Sequence, residues 1–258
     1  MPVIEIYHQI PRWTDPRLKR HYRRDSRSKL FIHDTRKLSI VTVQWALRTA
    51  VLNQGQVGKC TAEATEGVLA TDPYYSPQVV AAWDANWGSF DDAGTDQFYN
   101  SEEGLDGDGP YPPQDNGSSG LTSATVLRDA GLIPSWTQTF DVPDTLKALS
   151  QGPVSIGIPF FNSMMTPNAD GILTIDPTSG LAGGHQMCVD GYDSLRDLLH
   201  VRNSWGTDWG VGGWCWISST DFGTLLTYPQ FPGDVTIFGM PGSPATIPSA
   251  PVPSRSAA

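Results

Sequence analysis

The sequence predicts an α+β chain built as two halves with a cleft between them, and a change of texture along its length carries that prediction. Up to about residue 150 the regular stretches read as helices. From Pro153 onward they read as short strands separated by turn residues. A third observation sets the ends apart. Residues 1–48 are polar and basic, and residues 241–258 are rich in Pro, Ser and Ala, so the expected organisation is a basic arm (1–48), a helical subdomain (49–150), a β subdomain (151–240) and a flexible tail.

The helical half opens with the loop Asn53-Gln54-Gly55-Gln56-Val57-Gly58. Small, helix-compatible residues then run from Cys60 to Ala70 and stop at Asp72-Pro73. Residues 84–120, rich in Gly, Asp, Asn, Pro and Ser, read mostly as loop. A second helix is expected from Thr122 to Ala130, closed by Gly131. A short third one runs from Asp144 to Ser150. In the β half, Pro153–Ile158, Gln186–Tyr192, Leu198–Asn203 and Gly213–Ser218 carry strand patterns.

Composition excludes several classes. With 39% hydrophobic residues the chain is globular. No run of eighteen apolar residues is present, so no membrane-spanning helix is expected. The first twenty residues lack the pattern of a secretory signal, which favours a cytoplasmic or phage-associated setting. Three cysteines (Cys60, Cys188, Cys215) make neither a disulfide framework nor a zinc pattern, and no cofactor or metal is expected. The acidic run Glu102 to Gly109 lacks the calcium-loop spacing and reads as a solvated loop. Cys188 and Cys215 read as packing thiols, and the many tryptophans as core and rim.

The net charge of −10 is unevenly placed: residues 1–48 hold 11 of the 17 basic and 4 of the 27 acidic residues. Such an arm suits an acidic partner or, more simply, the acidic body of its own chain. No nucleic-acid motif accompanies it. The arm is expected to wrap the β subdomain rather than to act as a large inhibitory prosegment.

Cys60 falls where a glycine-punctuated loop becomes a helix, so free N–H groups and the helix dipole favour its thiolate. His185 sits on a glycine turn entering a strand, and Asn203 ends the next strand. Two antiparallel neighbours can therefore bring amide and imidazole together, as a base with a fixed tautomer needs.

Three segments then resemble the papain family of cysteine peptidases: VLNQGQVGKCTAEA around the nucleophile, GGHQMCVDGYD around the histidine, and LLHVRNSWGTDWGVGGWCWIS around the asparagine. His185 and Asn203 follow Cys60 by 125 and 143 residues, against about 130–150 for this family. The resemblance implies a papain-like fold, with a helical N-terminal subdomain and an antiparallel, barrel-like β subdomain. It implies peptide-bond hydrolysis through a thioacyl intermediate, with Cys60 as nucleophile, His185 as acid and base, Asn203 orienting it, and Gln54 in the oxyanion hole. Trp205 would shield the His–Asn bond. Gly117, Ser118 and Gly184 would hold an extended peptide substrate, and Met164 and Leu121 would line a specificity pocket. Other acyl substrates, such as peptidoglycan peptides, or a non-catalytic role in a bacterial or phage assembly, are the alternatives. Lys59 and Glu63 replace residues usual in the family, and their charges are expected to act on the thiol in opposite senses.

Overall fold

The computed structural model describes residues 6–7, 15–24 and 32–242. The expected tail, from 243 onward, lies outside the described residues. Two short strands of the arm, β1 (Ile6–Tyr7) and β2 (Arg23–Arg24), pair antiparallel. A third, β3 (Val43–Gln44), joins the main sheet.

The helical half contains α1 (Cys60–Leu69), α2 (Pro77–Trp87), α3 (Asp92–Asp106) and α4 (Gly120–Asp129). The stretch 84–120 is therefore largely helical, contrary to the loop expected. Asp91 caps α3 by accepting from the N–H groups of Ala93 and Gly94, and Gly107 ends it in the left-handed conformation. The acidic run is not solvated either. Glu102, Glu103 and Asp106 are buried and accept hydrogen bonds from Thr61, Ser123, Asn116, Gly117, Ser118 and Thr122. A carboxylate inside a protein needs such donors. These tie α3 to the starts of α1 and α4. Trp83, Trp87 and Phe98 pack edge-to-face and stacked at the centre of this half.

Strand β4 (Trp136–Thr139) and helix α5 (Val142–Ala148) lead to the sheet strands β5 (Val154–Phe161), β6 (Leu181–Asp193), β7 (Leu198–Arg202) and β8 (Trp214–Ser218). Helix α6 (Ser219–Leu226) and strand β9 (Asp234–Phe238) follow. The antiparallel order is β4-β9-β5-β6-β7-β8, with β3 on β6 beyond the end of β5. Strand β6 is the pivot. Its register sets His185 opposite Ile158, and its flank packs on α1, where Cys188 joins the aromatic core of the helical half. Cys188 and Cys215 are buried free thiols, as the sequence suggests. Among the described residues no helix is long and apolar enough to cross a membrane.

Candidate active site

The loop before α1 is stitched to the segment after β7. The Gln54 N–H donates to the Ser204 carbonyl at 2.9 Å, and Asn53 bridges Trp205. Gly55 takes φ +62°, a conformation glycine adopts without strain. The Gln54 amide is oriented by its neighbours. Its oxygen accepts from Ser204 Oγ at 2.7 Å and from Trp205 Nε1 at 3.2 Å, which turns its NH2 group toward the cleft.

Helix α1 begins at Cys60, and no side-chain hydrogen bond from Lys59 caps it, so the sulfur sits at a helix N-terminus, the end whose N–H groups favour a thiolate. The Lys59 side chain points elsewhere, to Glu63 at 2.9 Å and Asp96 at 2.7 Å. The charges that act on Cys60 are Glu102 and Arg20 rather than the expected Lys59 and Glu63. Burial is the largest influence and pushes the thiol up to about 12; the N–H groups of Gln186 and of Cys60 itself pull the other way.

His185 is fully buried. Its Nε2 lies 2.7 Å from Asn203 Oδ1, which also accepts from the Ser204 N–H at 2.8 Å and is therefore the acceptor of the pair. That leaves Nε2 protonated and Nδ1 with its lone pair, and Nδ1 has no hydrogen-bond partner among the described residues. Burial lowers the imidazole to about 4, with Asn203 opposing. The rings of Phe160 and Trp205 flank it, each 5.2 Å from its centroid. Burial thus disfavours the charged form of both thiol and imidazole.

A strap of the chain's own arm crosses this site. Residues 15–22 do not wrap the β subdomain as expected; they thread the cleft and touch both halves. The Arg17 carbonyl accepts from Gln54 Nε2 at 3.1 Å, and its guanidinium lies 3.8 Å over the Trp205 ring. Leu18 is buried in the β-half core. Lys19 pairs with Gly184: the Gly184 N–H donates to the Leu18 carbonyl at 3.2 Å, and the Arg20 N–H to the Gly184 carbonyl at 3.1 Å. The His21 N–H donates to the Ser118 carbonyl at 2.6 Å. Lys19 Nζ reaches Asp115, and Arg20 reaches Asp234. The described arm residues Lys19 and Arg20 therefore find their acids within the chain.

Glycines make this approach possible. A Cβ on Gly117 would sit 1.9 Å from the Lys19 carbonyl oxygen, and one on Gly184 2.4 Å from that of Arg20. Gln54, Gly117, Ser118, Gly184 and Trp205 all contact or directly adjoin the strap, and His185 follows Gly184 in the chain. Met164 is different. It is a core residue whose sulfur accepts from the Phe161 N–H, and Leu121 packs within the helical half. Sequence reasoning missed Asp115, Gly157 and Asp234. The available signal was a glycine interrupting an apolar strand and a lone acid opening another.

Comparison with known proteins follows the same lines. A family model described as "Papain family cysteine protease" matches residues 82–225, more than half of the chain, a span that includes His185 and Asn203 and begins after Cys60. The chain belongs to the papain family of cysteine proteases. This papain-family chain is 29% identical over 211 residues to the KDEL-tailed cysteine endopeptidase CEP2 of Arabidopsis thaliana, covering 72% of the chain and 57% of the relative. It is 26% identical over 224 residues to procathepsin L of Rattus norvegicus, covering 73% and 64%. It therefore spans less than two thirds of the length of either. Among solved structures, procathepsin B S9 of Trypanosoma congolense aligns with a TM-score of 0.56 at 12% identity over 83% of this chain and 82% of that one, a likeness of fold.

Proposed function

We propose that the chain is a cysteine peptidase that cleaves peptide bonds through a thioacyl intermediate, and that the strap holds it in a resting form. The observation that carries this reading is convergence. The Gln54 NH2 group, the start of α1 at Cys60 and the His185–Asn203 pair meet in one cleft, where a peptide carbonyl of the strap already rests on Gln54.

The steps follow from the atoms present. With the strap displaced, water returns and the burial that disfavours both charged forms is relieved. His185 Nδ1 takes the Cys60 proton, and Asn203 Oδ1 keeps Nε2–H in place. The thiolate adds to the substrate carbonyl. Charge on its oxygen is met by Gln54 Nε2 and the Cys60 N–H, donors aimed before the reaction begins. The imidazolium returns its proton to the leaving amine. His185 then activates water, which splits the thioester and frees the acid. Trp205 and Phe160 keep the His–Asn bond dry, which strengthens it. Ser118 and Gly184 supply backbone partners to an extended peptide, as they do to the strap, and Gly117 leaves room for its backbone.

The test is turnover of a mixed fluorogenic peptide library by the full chain before and after limited proteolysis, beside Cys60→Ala. Turnover that rises on cleavage within residues 15–24 and is absent in Cys60→Ala is expected. Turnover that persists in Cys60→Ala contradicts the assignment.

A further inference from the structure

Arg20 is the most deeply buried charged residue of the strap, fully enclosed although it belongs to a surface arm. Its guanidinium enters a pocket between β5, β9 and the loop before β9. Nη2 pairs with Oδ2 of Asp234, the residue that opens β9 and stands opposite Gly157 in the sheet register. The Phe231 ring lies 5.1 Å from Cζ. Gly157 provides the space: a Cβ there would lie 2.2 Å from Arg20 Nε and 2.4 Å from Cζ, a collision any other residue would impose. Gly157 has no positive φ, so backbone conformation does not require a glycine. Room for the guanidinium does.

The pocket is part of the cleft. The Arg20 N–H is bonded to Gly184, the residue before His185, and the Arg17 carbonyl on Gln54 is three residues away along the strap. The strap also fills the pocket imperfectly. Among the described residues, Nε and Nη1 of Arg20 and Oδ1 of Asp234 have no hydrogen-bond partner. One bond is made where a guanidinium and a carboxylate can make two parallel ones. Unpaired buried donors and acceptors weaken a contact, as suits an occupant that must leave.

We propose that this pocket selects an arginine side chain in the substrate, with Asp234 as the recognising carboxylate, Gly157 as the opening and Phe231 as the platform. This deepens the peptidase reading and rests on it. The substrate class is peptides or unfolded segments bearing arginine within about three residues of the cleaved bond, the span the strap covers between Gln54 and the pocket. Lysine is a poorer fit, because its compact ammonium lacks the fork and the flat face that Asp234 and Phe231 address. The uncharged pocket floor expected from Met164 and Leu121 would instead favour an apolar side chain.

The experiment uses the full chain carrying Arg20→Ala, which empties the pocket, against a positional-scanning fluorogenic library. Cleavage concentrated on arginine at a single position, with lysine second, is expected. Adding Asp234→Leu should lower kcat/KM for the arginine substrate by at least about 30-fold and raise it for leucine at the same position. Gly157→Ala alters no charge and should also disfavour arginine, which keeps the test decisive if Asp234→Leu fails to fold. Cleavage indifferent to arginine, or an arginine preference untouched by both substitutions, overturns the inference while leaving the peptidase reading standing. No cleavage of any library member, with Cys60 still alkylated by iodoacetamide, overturns the peptidase reading and the inference with it.

Discussion

Two stretches of the same basic arm behave differently. Residues 32–48 are woven into the body: β3 pairs with β6, the Trp45 N–H donates to the Asp190 carbonyl at 2.8 Å, and Trp45 Nε1 donates to the Leu149 carbonyl at 2.9 Å. Residues 15–22 are held by buried Leu18 and Tyr22, ion pairs of Lys19 to Asp115 and Arg20 to Asp234, cation–π contacts of Arg17 on Trp205 and Arg20 on Phe231, and backbone hydrogen bonds to Gly184 and Ser118. The first stretch completes a sheet. The second covers the cleft and supplies partners to Gln54, Asp234, Gly184 and Ser118. It combines a few backbone contacts with side chains seated in pockets, a mode of attachment that another extended peptide can take over.

The largest effect expected from this contrast is at Arg20. Arg20→Ala leaves Asp234 buried and unpaired only while the strap is closed, a penalty of about 3–5 kcal/mol for a broken buried pair. Peptide turnover should rise by about 100-fold or more, read as the initial rate of library hydrolysis. Trp45→Ala serves as the counterpart: thermal unfolding should come earlier, with no gain in turnover. In the Arg20→Ala background, Gln54→Ala should lower kcat by about 10²–10³, measured at saturating peptide, if its NH2 group has the proposed oxyanion role.

Much of this site was legible in sequence because it is local. The turn before Cys60, the glycines before His185 and the Asn-Ser-Trp segment each place a residue by its neighbours. The strap was not legible, because its partners lie far along the chain: Lys19 and Asp115 are 96 residues apart, Arg20 and Asp234 are 214 apart. Helix α3 was obscured by its composition. Acids that usually mark solvent serve there as buried acceptors, with Glu102 taking the hydroxyls of Thr61 and Ser123. The role expected of Met164 failed for a related reason, since an apolar residue in a loop-like stretch does not reveal whether it faces a cleft or a core.

A smaller effect separates strap release from global unfolding. Glu66 on α1 is buried with neither carboxyl oxygen hydrogen-bonded among the described residues, and burial, with the nearby charges of Glu63, Asp91 and Asp92, raises it to about 9. The unfolded chain ionises this group near the usual 4.5. Between those values the folded state binds the extra proton, so this group's contribution is complete at low pH and is lost as pH rises toward 9. Glu66→Gln should flatten that decline and raise Tm at pH 8, by about 2–4 °C for each ~1 kcal/mol recovered, with turnover little changed. The smallest effect belongs to Gly55→Ala, where φ is +62° and no atom lies within 4 Å of a new Cβ. The cost is conformational alone, about 1 kcal/mol in denaturant unfolding.

In the proposed resting form residues 15–22 close the cleft over Cys60. The direct measurement is the alkylation rate of each cysteine at neutral pH, followed by peptide mass spectrometry in the wild type and in Arg20→Ala. Cys188 and Cys215 serve as buried references within the same molecule. The account predicts that wild-type Cys60 reacts as slowly as those two, and that Arg20→Ala accelerates Cys60 alone, by about 100-fold. A wild-type Cys60 that reacts rapidly, at the rate found in Arg20→Ala, would contradict it.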